Sequence, residues 1–228
     1  MGAFEALKDY FGKPLWEMAR DLGYDESNIL ILKGDKEELK SRFPDIYGSL
    51  DSKRHESGGR DPIDYGRNIV ASWLFEDYLL ENLKNDSFTI SLAGADKNRL
   101  ILPPGKTSAK SDYVIQMRDG RKMSIELATD FSDYMYRVHK LDLRDNKFFK
   151  IKKEKGLLLA IAISGNANRF ALIDFRRFIP MKASKKHEDF DNKNVKTINV
   201  ERNELHAFSF ETVINKIIEV MNQKTPTA

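Results

Sequence analysis

Asp112 and Glu126 are the two residues whose types and spacing could bring carboxylates together for metal chemistry. Asp112 opens the run Ser111-Asp112-Tyr113-Val114-Ile115, and Glu126 lies within Ser124-Ile125-Glu126-Leu127-Ala128-Thr129-Asp130. Between them, Asp119-Gly120 is a dipeptide suited to a tight hairpin, because both residues tolerate positive φ. A hairpin folded there carries the two acids toward one edge of a sheet. Two hard oxygen ligands in one place suit Mg2+. The plainer alternative is a pair of surface acids flanking a turn.

The surroundings favour the first reading. Upstream lies Gly66-Arg67-Asn68-Ile69-Val70-Ala71-Ser72-Trp73-Leu74-Phe75-Glu76, and downstream, after a long polar stretch, the apolar run Leu157 to Ile163. The order is helix, strand, hairpin, helix, strand. With an Asp on one hairpin strand and a Glu on the next, residues 66 to 175 resemble the core of the PD-(D/E)xK nuclease superfamily, which includes the type II restriction endonucleases. The resemblance implies an α/β fold, a restriction-endonuclease-like mixed central sheet flanked by helices. It also implies Mg2+-dependent hydrolysis of phosphodiester bonds in double-stranded DNA at a short specific site, by a homodimer. Asp112, Glu126 and the Leu127 carbonyl would hold the metal, and Glu76 would add a further acid. The same fold also serves repair and recombination nucleases, and DNA-binding proteins whose chemistry has lapsed.

One position departs from the pattern. Where the family usually carries Lys, this chain has Ala128, so position 128 of the catalytic set has no side chain able to carry charge. The favoured explanation is a form substituted there so that DNA is bound and not cut. The second is a lysine supplied from elsewhere, with Lys140 on the following helix as one candidate. Lys122 shares the strand-face parity of Glu126 but lies about 13 Å away at strand spacing. Natural loss of catalysis is the third.

Several basic groups could contact DNA, though each could equally be a solvated charged surface. Lys53, Arg54, His55 and Arg60 alternate with Ser and Gly in a basic loop, a composition suited to phosphate contact. Arg137, His139, Lys140, Arg144, Lys147 and Lys150 lie along the helix expected after the second hairpin strand, which the resemblance implies approaches DNA or a dimer partner, with DNA contact the favoured reading. Lys182, Lys185 and Lys186, in a charged loop, could reach base edges, as could Asn166, Asn168, Arg176 and Arg177.

The chain has 228 residues, 41% hydrophobic and 32% charged, sufficient for a sizeable core. Its net charge of +3 requires any DNA-binding surface to come from local clustering. No cysteine is present, which excludes disulfides and cysteine-based zinc sites. The four histidines show no zinc-ligand spacing. No phosphate-binding loop, dinucleotide fingerprint or serine-hydrolase elbow occurs, so no nucleotide cofactor is expected. No apolar run approaches membrane-spanning length and the first residues do not form a secretion signal, so a cytoplasmic, non-membrane protein is expected.

Periodicity predicts helices over Ala3 to Leu22, split at Pro14, then Asp35 to Phe43, Asp64 to Leu83, Thr129 to Lys153 and Phe210 to Met221. Strands are expected at Ser87 to Leu92, in the hairpin, at Leu157 to Ile163 and at Phe170 to Phe175. Pro44 to Pro62 and Lys182 to Asn194 read as loops. The expected organisation is one nuclease domain over 1–228. Within it, 1–62 is a helical and loop subregion, 63–180 the catalytic core and 181–228 a loop and helix.

Overall fold

Apolar residues at helical spacing dominate the first eighty positions, and helices follow from them. The computed structural model describes residues 2–52, 61–94, 97–101, 111–163, 168–177, 179, 185–187 and 193–223. Contacts divide the chain into two units, Met1–Leu79 with Ala95–Ser108, and Leu80–Gly94 with Ala109–Ala228. The division after Leu79 falls inside a helix.

The first unit is helical among the described residues. It contains α1 (Ala3–Phe11), α2 (Leu15–Asp21), α3 (Glu26–Lys33), α4 (Lys36–Arg42), α5 (Pro44–Ser52) and most of α6 (Pro62–Asn82). The break at Pro14 is as expected. Asp35 caps α4, its carboxylate accepting from the Glu38 N–H at 3.1 Å, which satisfies a backbone donor the helix leaves open. Helices α3 and α5 were missed by sequence reading. Leu7, Leu15, Ile31, Leu39, Leu50, Val70, Leu74 and Phe75 form the buried interior. Gly66 lets α6 approach closely, since a Cβ there would lie 3.0 Å from both Ile31 and Leu50.

The second unit holds a six-stranded sheet. Its strands are β1 (Phe88–Leu92), β2 (Tyr113–Met117), β3 (Lys122–Asp130), β5 (Leu157–Ala162), β6 (Arg169–Asp174) and β9 (His206–Ala207), adjacent in that order. β3 and β5 run parallel, while the other neighbours are antiparallel. The fold is therefore mixed α/β with a mixed sheet and helices, as the sequence suggested. Every residue of β5 is buried, as a central strand covered on both faces requires.

The segment from Thr129 to Lys153 is not one helix. It forms the end of β3, α7 (Tyr134–Val138), β4 (Lys140–Arg144) and α8 (Asp145–Glu154). β4 pairs with β8 (Lys193–Asn199), which in turn pairs with β7 (Lys185–His187), making a second, three-stranded sheet. Leu141 and Leu143 of β4 join Phe148 and Ile151 of α8, and Leu158, Ala160 and Ala162 of β5, in one apolar cluster. Helix α9 (Phe210–Asn222) buries Val213, Ile217, Val220 and Met221. Ser209 caps it by accepting from the Thr212 N–H at 3.1 Å.

Candidate metal centre

The hairpin forms with Gln116 opposite Lys122 and Val114 opposite Ser124. Its turn is not the expected pair of positive-φ residues, because only Gly120 adopts a positive φ there, 86°. The loop is longer than two residues. It is closed by Met117 N–H to Arg121 O at 2.9 Å and Gly120 N–H to Met117 O at 3.0 Å. Asp119 instead uses its carboxylate locally, accepting from the Arg121 N–H at 3.1 Å.

Asp112 stands immediately before β2. Its Oδ2 accepts from the Leu127 N–H on β3 at 2.7 Å, and its carbonyl accepts from Ala93 N–H at 2.9 Å. These bonds hold the side chain against β3 where Glu126 emerges. Glu126 faces the same side of β3 as Ala128, because alternate strand residues share a face. The parallel register places Leu158 and Ala160 of β5 opposite them, and both belong to the cluster covered by α8. Ala128 packs on that cluster.

Helix α8 sets two lysines beside the acids. Lys147 and Lys150 are three residues apart, so they share a helix face. The Lys147 Nζ donates to the Leu127 carbonyl at 2.7 Å. It lies 2.9 Å from Glu126 Oε1 and 3.9 Å from Asp112 Oδ2. Lys150 Nζ lies 2.6 Å from Glu126 Oε2. That oxygen is buried without a hydrogen bond in line, so the pairing with Lys150 is one of charge rather than of hydrogen-bond geometry.

The Glu126 side chain is only 4% exposed, against 21% for Asp112 and 32% for Lys147. A buried carboxylate needs a counter-charge, and the two ammoniums supply it. Burial raises the Asp112 carboxyl above the ordinary carboxylate range. Lys147 opposes that rise, Glu126 adds to it, and the Leu127 N–H and Lys150 oppose it further.

The oxygens of Asp112, Glu126 and Leu127 suit a hard divalent cation in type and charge. The Lys147 ammonium already stands among them as a stand-in cation, so the donor set fits Mg2+. Among the described residues no group of three His, Cys, Asp or Glu side chains is placed to hold a metal. The third donor here is a main-chain carbonyl.

The other expected site residues lie on the following elements. Glu76 belongs to the first unit, where its carboxylate pairs with Arg99 at 2.7 Å. Arg99 also binds Asp77, and its carbonyl accepts from Asn28 Nδ2 at 2.9 Å. Asp77 accepts in turn from the Tyr24 hydroxyl, which burial and that bond hold protonated well above its usual range. Lys140 lies on β4 opposite Asn199, on a strand and not on the expected helix. Arg137 is exposed in the last turn of α7. Lys185 and Lys186 pair in β7 with Val195 and Asn194, inside what was expected to be a loop. Lys53, Arg54, His55, Arg60 and Lys182 lie outside the described residues.

Lys147 and Lys150 were expected to face DNA, not the acids. Their sequence did carry a signal. Each immediately precedes a buried apolar residue, Phe148 and Ile151, so each borders the face that α8 turns inward.

No protein-family model matches this chain, and no curated protein matches it in sequence. Among the described residues no helix is long and apolar enough to cross a membrane.

Proposed function

We propose that this protein is a metal-dependent endodeoxyribonuclease of the type II restriction kind, acting on double-stranded DNA with Mg2+. The observation that carries this reading is the convergence of Asp112, Glu126 and the Leu127 carbonyl around one lysine ammonium. The strand arrangement adds support. β1, β2 and β3 form an antiparallel run, and β5 joins β3 in parallel after α8, the order expected of the nuclease core. The relocated-lysine explanation of Ala128 therefore replaces the substituted-form explanation as the favoured one.

Asp112, Glu126 and the Leu127 carbonyl would hold Mg2+, which when bound lowers the pKa of a water and stabilises charge on a phosphate. Lys147 would orient the attacking water and stabilise negative charge at the pentavalent phosphorus. The water oxygen bonds to phosphorus as the bond to the leaving 3′-oxygen breaks. A homodimer on a palindromic site would give each strand its own centre. The DNA contacts proposed from the sequence are Lys53, Arg54, His55, Arg60, Arg137, Lys140, Lys182, Lys185 and Lys186.

The test is digestion of a long duplex DNA with Mg2+, with and without chelator, by the unmodified chain and by Asp112→Asn and Lys147→Met. Discrete fragments from the unmodified chain alone, abolished by chelator, are expected, with each variant slower by about 10²-fold or more. Preference for branched or single-stranded DNA would instead indicate a repair nuclease. A second reading, a lapsed nuclease that only binds DNA, is favoured by one observation. Lys147 and Lys150 neutralise the acids with no metal required. It predicts duplex binding without cleavage under every condition.

A further inference from the structure

We infer that Lys147 occupies the cation position of this site in the metal-free protein, and that a divalent cation binds by displacing its ammonium. The inference rests on the metal-site reading above and goes beyond it. It makes Lys147 a competitor of the metal as well as a group that serves the phosphate.

The geometry leads there directly. The Nζ of Lys147 lies 2.7 Å from Leu127 O, 2.9 Å from Glu126 Oε1 and 3.9 Å from Asp112 Oδ2. These are the same three groups that would coordinate the metal. A divalent cation at 2.0–2.6 Å from such oxygens (about the range for Mg2+ and Ca2+) and an ammonium at these distances cannot share the space. Their like charges also repel steeply where solvent is partly excluded. Lys150 is placed differently. Its Nζ meets the other carboxylate oxygen, Glu126 Oε2, and can remain while the metal enters.

Exchange is feasible because Lys147 is the more exposed of the two lysines, 32% against 19%. Its long stem can carry the ammonium outward while α8 stays fixed through Phe148 and Ile151, both buried. The arrangement also explains how a buried carboxylate is tolerated in the absence of metal, since Glu126 is never without a counter-charge.

The experiment is titration calorimetry with Mg2+ alone, without DNA, on the full chain and on Lys147→Met, Lys147→Gln, Lys147→Arg and Lys150→Met. The Gln variant keeps a donor for the Leu127 carbonyl and guards against failure of the Met variant to fold. Loss of the competing charge should tighten Mg2+ binding about tenfold or more in Lys147→Met and Lys147→Gln. Lys147→Arg should bind no tighter than the unmodified chain, and Lys150→Met should change affinity less than Lys147→Met does. The same Met and Gln variants should show a larger rise in melting temperature on adding Mg2+, by linkage. Equal or weaker Mg2+ binding by both neutral variants, with measurable binding by the unmodified chain, overturns the exchange and leaves the metal site standing. Absence of Mg2+ binding in every form overturns the metal site and the exchange with it.

Discussion

At the level of single residues, the proposed site draws its cations from a different element than its acids. β3 carries no cation at Ala128, and α8 sets Lys147 and Lys150 beside Glu126. With Asp112 and Glu126 ionised and Lys147 and Lys150 protonated, the cluster is balanced in charge. A lysine restored at 128 would start about 7 Å along the strand from Glu126 on the same face, against the apolar cluster on which Ala128 packs. It would add a third ammonium to a balanced set and press a charged stem onto Leu158, Ala160 and their neighbours. Ala128→Lys is therefore expected to give no gain in cleavage and to cost about 1–3 kcal/mol of stability. Parallel DNA digestion and urea denaturation measure both. A tenfold faster Ala128→Lys enzyme would contradict the relocated lysine and restore the idea of a chain disabled at this position. The two acids were legible in the sequence because a hairpin forces its strands together. The lysines were not, because their partner strand lies twenty residues away and only the fold sets α8 against it.

At the level of elements, the site depends on how α8 is seated over β3. Helix α8 ends with Lys155 in the left-handed conformation, φ 50°, and Gly156 leads directly into β5. The Gly156 N–H bonds back to Ile151 O at 3.1 Å, which closes the helix. A Cβ at Gly156 would lie 2.5 Å from Ser124 Oγ and 2.9 Å from Ser124 O, so only glycine lets the start of β5 come so close to β3. Gly156→Ala should cost about 1–3 kcal/mol by forcing β5 away from β3, read as a lower midpoint in chemical denaturation. It should also slow cleavage, because Lys147 and Lys150 ride on α8, whose C-terminal end Gly156 closes. An unchanged midpoint would show that the neighbouring backbone gives way freely. Periodicity served well where one element packs on one face, as in α6 and α9, and an unbroken apolar run marked β5, which is buried on both faces. It failed over Thr129 to Lys153, where a polar stretch concealed a change of period. Lys140-Leu141-Asp142-Leu143-Arg144 alternates charged and apolar residues, a strand signal. Its partner β8, with Val195 and Ile198 buried, lies some fifty residues downstream, in and beyond a segment that reads as a charged loop.

At the level of the whole molecule, Asp112, Glu126, Leu127, Lys147 and Lys150 belong to the second unit, while Glu76, the acid that the nuclease resemblance adds, belongs to the first, paired with Arg99. The Arg99 side chain is nearly buried between Glu76 and Asp77, and its guanidinium lies 6.0 Å from the Trp73 ring centroid. Removing one member of such a network leaves the others charged and desolvated, which costs far more than the network itself contributes. Arg99→Met is therefore expected to destabilise the first unit by about 3–5 kcal/mol. The two tryptophans of the chain, Trp16 and Trp73, both belong to that unit, so indole fluorescence follows it selectively, while far-ultraviolet circular dichroism follows both units. In Arg99→Met the fluorescence transition should move to lower denaturant, and Mg2+ binding at the second unit's centre, measured before that transition, should keep its affinity. If Mg2+ affinity falls in step with the loss of Arg99, Glu76 and its partner serve the metal centre, and the division of labour drawn from the two units is wrong. If fluorescence and circular dichroism move together with Mg2+ affinity intact, the units unfold as one cooperative body while the centre remains the property of the second.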